Sequence, residues 1–238
     1  MTTQTLEYAE SGTQLCGFLA WDDTVSGARP GVLVFHENTG LTDHEKERAR
    51  RLAEMGYVAL AGDLFGRRPE AQATDAERRA AFEEFRDKRM VPRARAGFDA
   101  LAAQPAVDRS RIATIGFCLG GMAALELARS GADLAGVVSF HGSLGTQRPA
   151  RAGELKAKVL VCHGASDPFI TLDQVNAFAK EMQDAAADWQ VILYGGAMHG
   201  FTNPAADRFG RPGVGYHRKS DERSWRAMQD FLAELFSR

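Results

Sequence analysis

The chain has 238 residues, 45% hydrophobic and 25% charged, an ordinary globular composition. Its 29 basic and 31 acidic side chains leave a net charge of −2 with no long run of one sign, which removes the electrostatic case for binding nucleic acid or an anionic membrane. No apolar run approaches the ~20 residues of a spanning helix. The opening MTTQTLEYAESG lacks the basic-then-apolar pattern of a secretory signal, and Cys16, Cys118 and Cys162 are too few and too far apart for a disulfide framework or a Cys-x-x-Cys site. A reducing cytoplasm is the expected location.

In chain order, Leu6–Glu10 and Leu15–Trp21 read as a hairpin turning at Ser11-Gly12. VLVF, after Pro30-Gly31, is a continuous apolar run of the buried-strand type. Asp43–Met55 carries apolar residues at helical spacing and stops at Gly56, and YVALAGD follows as another buried strand. Asp75–Ala103 is helical in pattern but holds Pro92, which predicts two helices or one kinked helix. RIATIGF is a strand, and a helix is expected over Leu119–Arg129. LAGVVSF, KVLVCHG and WQVILYG are three more short strands, with helices near Leu172–Met182 and Ser220–Phe236. Alternating strands and helices imply right-handed crossovers and a mostly parallel sheet covered on both faces, with the hairpin adding antiparallel strands at one edge. Residues 1–238 read as one α/β domain.

In open parallel sheets, ligands bind beyond the carboxyl ends of the strands. The polar residues just past the apolar runs are His36-Glu37-Asn38, Asp63, Cys118, His141, His163 with Asp167, and His199. Gly116-Phe117-Cys118-Leu119-Gly120 matches the G-x-S-x-G nucleophile elbow with cysteine for serine. A strand that turns abruptly into a helix leaves no room for side chains two residues to either side, hence the glycines. The turn aims the thiol at the crevice and leaves the Leu119 N–H at a helix N-terminus, where an oxyanion is favoured. By itself the match also fits a small buried cysteine between packing glycines, Asp167 before Pro168 also fits a turn, and His199 also fits a glycine-rich surface loop. Together, Cys118, Asp167 and His199 follow the nucleophile–acid–histidine chain order of this architecture.

On VLVFHENTG, GFCLGG, HGASDP and AMHGF the chain resembles, along nearly its whole length, the dienelactone hydrolase family of the α/β-hydrolase fold. The resemblance implies an ester or lactone hydrolase working through a thioester on Cys118, with His199 as general base and acid and Asp167 orienting it. It implies an oxyanion hole of the Leu119 and Asn38 backbone N–H groups, and Glu37 interacting with the resting thiol until substrate displaces it. It needs no cofactor and no metal, takes a small-molecule ester or lactone, and is compatible with a monomer or small homo-oligomer.

Departures bear on specificity. Asn203 stands where the family carries an arginine for a substrate carboxylate, and Arg78, Arg79 and Phe82 lie where a second arginine and a tyrosine are expected. These four, with His141 as pocket wall and Phe201, make the expected substrate-contacting set. The remaining strand-end histidines, His36 and His163, read as hydrogen-bonded supports, His44 and His217 as exposed, the three tryptophans as packing residues, and Arg86–Arg95 as a solvated helix surface. A non-catalytic binding module on the same fold, and a redox role for Cys118 with Cys162 approaching it, are the competing readings.

Overall fold

The computed structural model of the protein describes residues 1–66 and 75–237, with the backbone alone for residues 75–79. Strands β1 (Thr2–Glu10) and β2 (Thr13–Trp21) form an antiparallel hairpin. Its turn places Ser11 and Gly12 both at positive φ, 45° and 79°, the two-residue turn whose twist matches that of the strands. Then follow β3 (Arg29–Phe35), α1 (Asp43–Glu54), β4 (Val58–Gly62), α2 (Asp75–Glu84), α3 (Met90–Ala102), β5 (Val107–Phe117), α4 (Leu119–Arg129), β6 (Gly136–Phe140), β7 (Lys158–Gly164), α5 (Leu172–Asp184), β8 (Trp189–Tyr194) and α6 (Arg218–Phe236).

The eight strands make one sheet in the order β1-β2-β4-β3-β5-β6-β7-β8. From β4 to β8 every pairing is parallel, and β2 joins β4 antiparallel. Alternate residues of one strand feed two cores. In β3, Leu33 and Phe35 pack with Leu101, Leu125 and Phe178, while Val32 and Val34 pack with Phe117, Trp225 and Leu232 on the opposite face. Each such side chain, removed from water completely, contributes about 1.5–3 kcal/mol. No helix among the described residues is long and apolar enough to cross a membrane.

The break expected in the 75–103 helix falls before Pro92. Residues Phe85–Arg89 form a π-helical turn, and Pro92 lies in the first turn of α3, where a missing N–H costs little. The surrounding arginines are not uniformly solvated: Arg93 is half-buried and donates from Nη1 to the carbonyls of Leu64 and Phe65, both at 2.9 Å, tying α3 to the segment after β4.

Candidate active site

β5 ends at Phe117 and α4 starts at Leu119, so the whole reversal falls on Cys118, at φ 52° and ψ −113°. A non-glycine residue held so far from the common basins costs about 1–3 kcal/mol, and surrounding bonds must hold it there. The Cys118 N–H donates to Phe140 O (3.0 Å) and His141 Nδ1 (3.2 Å), and the Met122 N–H donates to Cys118 O (3.2 Å). A Cβ on Gly116 would fall on the Gly120 carbonyl, and one on Gly120 on the Phe35 carbonyl, so both flanking glycines are required by contact. Leu119, buried, opens α4, whose first N–H groups have no carbonyl one turn earlier to bond. Asn38 stands exposed, just past β3.

Three strand ends converge on the thiol. His199 Nε2 lies 3.1 Å from Cys118 Sγ, and His199 Nδ1 lies 2.8 Å from Asp167 Oδ2. Asp167 Oδ1 accepts from the N–H groups of Phe169 (2.8 Å) and Ile170 (3.1 Å), which fixes the carboxylate in its turn. The histidine loop is held by a strap: the His199 N–H donates to Gly213 O and the Gly215 N–H to His199 O, at 3.1 and 3.0 Å. Burial alone would depress the His199 imidazole; its bonds to Asp167 and Cys118 outweigh this and push it up to about 10. For Asp167, burial alone would raise the carboxyl, and the bond to His199 holds it below its ordinary value.

Glu37, expected to interact with the resting thiol, hydrogen-bonds elsewhere. Its Oε2 accepts from Asn203 Nδ2 at 2.5 Å, and both residues are buried. Burial raises the Glu37 carboxyl to about 7, against the Asn203 bond and with the nearby Glu45 charge adding to the rise. Glu45 is a residue the sequence reasoning passed over. It closes a capping box on α1, its Oε2 accepting from the Thr42 N–H (2.9 Å) and hydroxyl (2.7 Å), while its Oε1 accepts from the Glu37 N–H (3.2 Å). The spacing Thr42-x-x-Glu45 was the available signal.

His141 is not a pocket wall. It is fully buried, at φ 42°, and its Nδ1 accepts from the nucleophile's own N–H while Nε2 pairs with Thr202 Oγ1 at 2.8 Å. Burial, and then the His199 charge, hold it well below the ordinary imidazole range, so it is neutral and Nε2 carries the proton it donates to Thr202. Arg48 continues the chain, donating from Nη2 to Thr202 O (2.8 Å) and Asp221 Oδ1 (2.6 Å). Phe201 is likewise fully buried, edge-on to His141, and presents no surface to a substrate. His44 is half-buried against Phe117, where burial pushes its imidazole down to about 3, and His217 is half-buried with Nδ1 on Ser220 Oγ; neither is exposed. These four placements share one cause: position along the sequence locates a loop or helix end near the crevice or the surface, whereas tertiary packing decides which side chains there are buried.

His36 and His163 support strand-end loops through Glu37 O and Ile170 O, at 2.7 and 2.9 Å. Phe82 is half-buried, and the side chains of Arg78 and Arg79 lie outside the described residues. Cys16 is exposed on β2. Cys162 is sealed within β7, where burial pushes its thiol up to about 12, so nothing in its setting suits a partner for Cys118. Among the described residues no cluster of three or more His, Cys, Asp or Glu is arranged to hold a metal ion.

The sequence model of the dienelactone hydrolase family matches residues 15–236. A putative carboxymethylenebutenolidase of Yersinia pestis is 28% identical over 94% of this chain and 85% of its own length. A probable 2-oxo-3-(5-oxofuran-2-ylidene)propanoate lactonase of Bradyrhizobium is 29% identical over 88% and 90%. Among solved structures, a dienelactone hydrolase-like promiscuous phosphotriesterase from metagenomic libraries superposes with a TM-score of 0.89, at 44% identity and 99% coverage of both chains. With its motifs, its sheet order and these matches in agreement, this chain belongs to the dienelactone hydrolase family, a hydrolase on the α/β-hydrolase fold.

Proposed function

We infer that the protein hydrolyses carboxylic esters or lactones through a thioester on Cys118. One observation carries this reading: the continuous line Cys118 Sγ, His199, Asp167, at 3.1 and 2.8 Å, built on a strained elbow. Cys118 Sγ attacks the carbonyl carbon with its proton already held on His199 Nε2. The carbonyl electrons move onto oxygen, where the Leu119 and Asn38 N–H groups receive the charge. The oxyanion collapses, the C–O bond breaks, and His199 gives its proton to the departing oxygen, leaving alcohol and thioester. Water then loses a proton to His199 and attacks the thioester, releasing acid and restoring Cys118 Sγ beside the protonated His199.

Asp167 keeps the imidazole in its working tautomer and balances its positive charge. Glu37 acts through space, its negative charge and the His199 positive charge favouring one another. Asn203, Phe82, Arg78 and Arg79 remain the substrate-side residues of this proposal. One domain suffices, since one sheet supplies every residue from Glu37 to His199. Three unbridged cysteines suit a reducing cytoplasm.

The test is turnover of an aryl ester before and after alkylation of Cys118. Loss of turnover in step with Cys118 labelling is expected. Full turnover by fully labelled protein, or tight binding of ester with no turnover in the untreated protein, would refute the reading.

A further inference from the structure

The geometry points to an acyl-group site in the cavity over the first turns of α4, one that selects an uncharged acyl chain over an anionic one. This rests on Cys118 being the nucleophile. The cavity measures about 400 Å³, within the range of small-molecule sites. Met122 lines it, and the Met122 N–H bonds the Cys118 carbonyl, so the cavity begins one helical turn, roughly 5 Å, beyond the nucleophile. Ser143 lines it from the other side, two residues past the His141 that accepts the Cys118 N–H.

Its position decides which half of an ester it takes. No lining residue comes from the loops that carry Asp167 and His199. A leaving group must reach His199 Nε2 to collect a proton, so it lies on that side, near Phe169, whose ring stands edge-on to His199 at 5.5 Å. The acyl group, bonded to the same carbonyl, is left with the α4 side. The π-turn shapes this wall. Phe82 and Met90 flank it and both line the cavity; in an uninterrupted α-helix, residues eight apart would point ~80° away from each other, and the wider i→i+5 turn reduces that angle.

Its chemistry decides the acyl class. Among the described lining residues, Arg86 is paired with Asp87 at 2.7 Å and Glu126 with Arg129 at 2.8 Å, while Arg148 stands on the exposed side. Beside these stand one phenyl ring and two thioethers, Phe82, Met90 and Met122, and the neutral polar side chains of Ser143, Thr146 and Gln147. Methionine adapts its shape to what it packs on, which suits a range of neutral chains.

The experiment compares kcat/KM for p-nitrophenyl acetate, hexanoate and monosuccinate in the full-length wild type and in Met122→Trp and Phe82→Trp, with circular dichroism and Cys118 alkylation rates reporting fold and elbow. Wild type should prefer hexanoate over acetate and over the anionic succinate. Both substitutions fill the cavity and should lower the hexanoate-to-acetate ratio by ~10-fold or more, the scale set by excluding one or two methylenes. Two folded variants with an unchanged ratio, or losses equal for all esters, would overturn the acyl site; a strong preference for succinate would overturn its neutral class. Wild type without turnover of any ester would instead sink the hydrolase reading itself.

Discussion

The Asn203 side-chain amide donates to Glu37 Oε2 at 2.5 Å inside the protein, and burial raises the Glu37 carboxyl from 4.5 to about 7 against that bond. An acid with a raised folded value binds more protons folded than unfolded between those two values. Its stabilising contribution is therefore complete below pH 4.5 and is lost as pH climbs through 7. Urea midpoints measured from pH 4 to 8 should show wild type losing stability relative to Glu37→Gln across this window, by up to about 3 kcal/mol. Parallel curves would mean that Glu37 is already charged at pH 5.

His199 sets the alkaline side of activity. The imidazolium must hold its proton to release the alcohol, and with a value near 10 it does so through neutral pH. kcat/KM should hold to about pH 8–9 and fall as pH approaches 10. Asp167→Asn removes the leading contribution that raises His199 and should move this limb to lower pH, with turnover reduced on the order of 10⁴-fold, as for other members of such units. An alkaline limb unmoved in the folded variant would detach Asp167 from His199.

His141 holds the elbow from behind. In His141→Phe the Cys118 N–H loses one acceptor and the buried Thr202 Oγ1 loses its partner. The expected cost is about 1–3 kcal/mol in chemical unfolding, with kcat lowered more than KM is raised. Wild-type stability would show that the two bonds carry nothing.

Asn203 brings no positive charge to the substrate, and its amide donates to Glu37. Neutral lactones should be hydrolysed at least as well as carboxylate-bearing analogues. A preference of ~10²-fold or more for the anion, typical of a closely paired charge, would require an arginine elsewhere, with Arg78 and Arg79 the first to substitute.

The parts of this site that were legible from sequence were those with a local cause. Gly116 and Gly120 announce the elbow because a Cβ there meets backbone a few residues away or on the adjacent strand. Asp167 and His199 announce themselves by following β7 and β8, since strand order fixes where their loops emerge. Glu45 was equally local, in its capping box, and went unread. The roles of His141, Thr202 and Arg48 were not legible: their bonds span 23, 61 and 154 residues in sequence, and nothing nearby distinguishes a histidine that packs under the nucleophile from one that faces solvent. Glu37 illustrates the intermediate case, its position readable but its partner, 166 residues away, not.

The central claim is that Cys118 carries the acyl group, and trapping it is the most direct test. The protein is mixed with a p-nitrophenyl ester, quenched in acid within one turnover, and digested for peptide mass analysis. The account predicts the acyl mass on the peptide holding Cys118 in wild type, no label and no turnover in Cys118→Ala, and wild-type behaviour in Cys16→Ala. An acyl label on any other residue, or full turnover by Cys118→Ala, would contradict it.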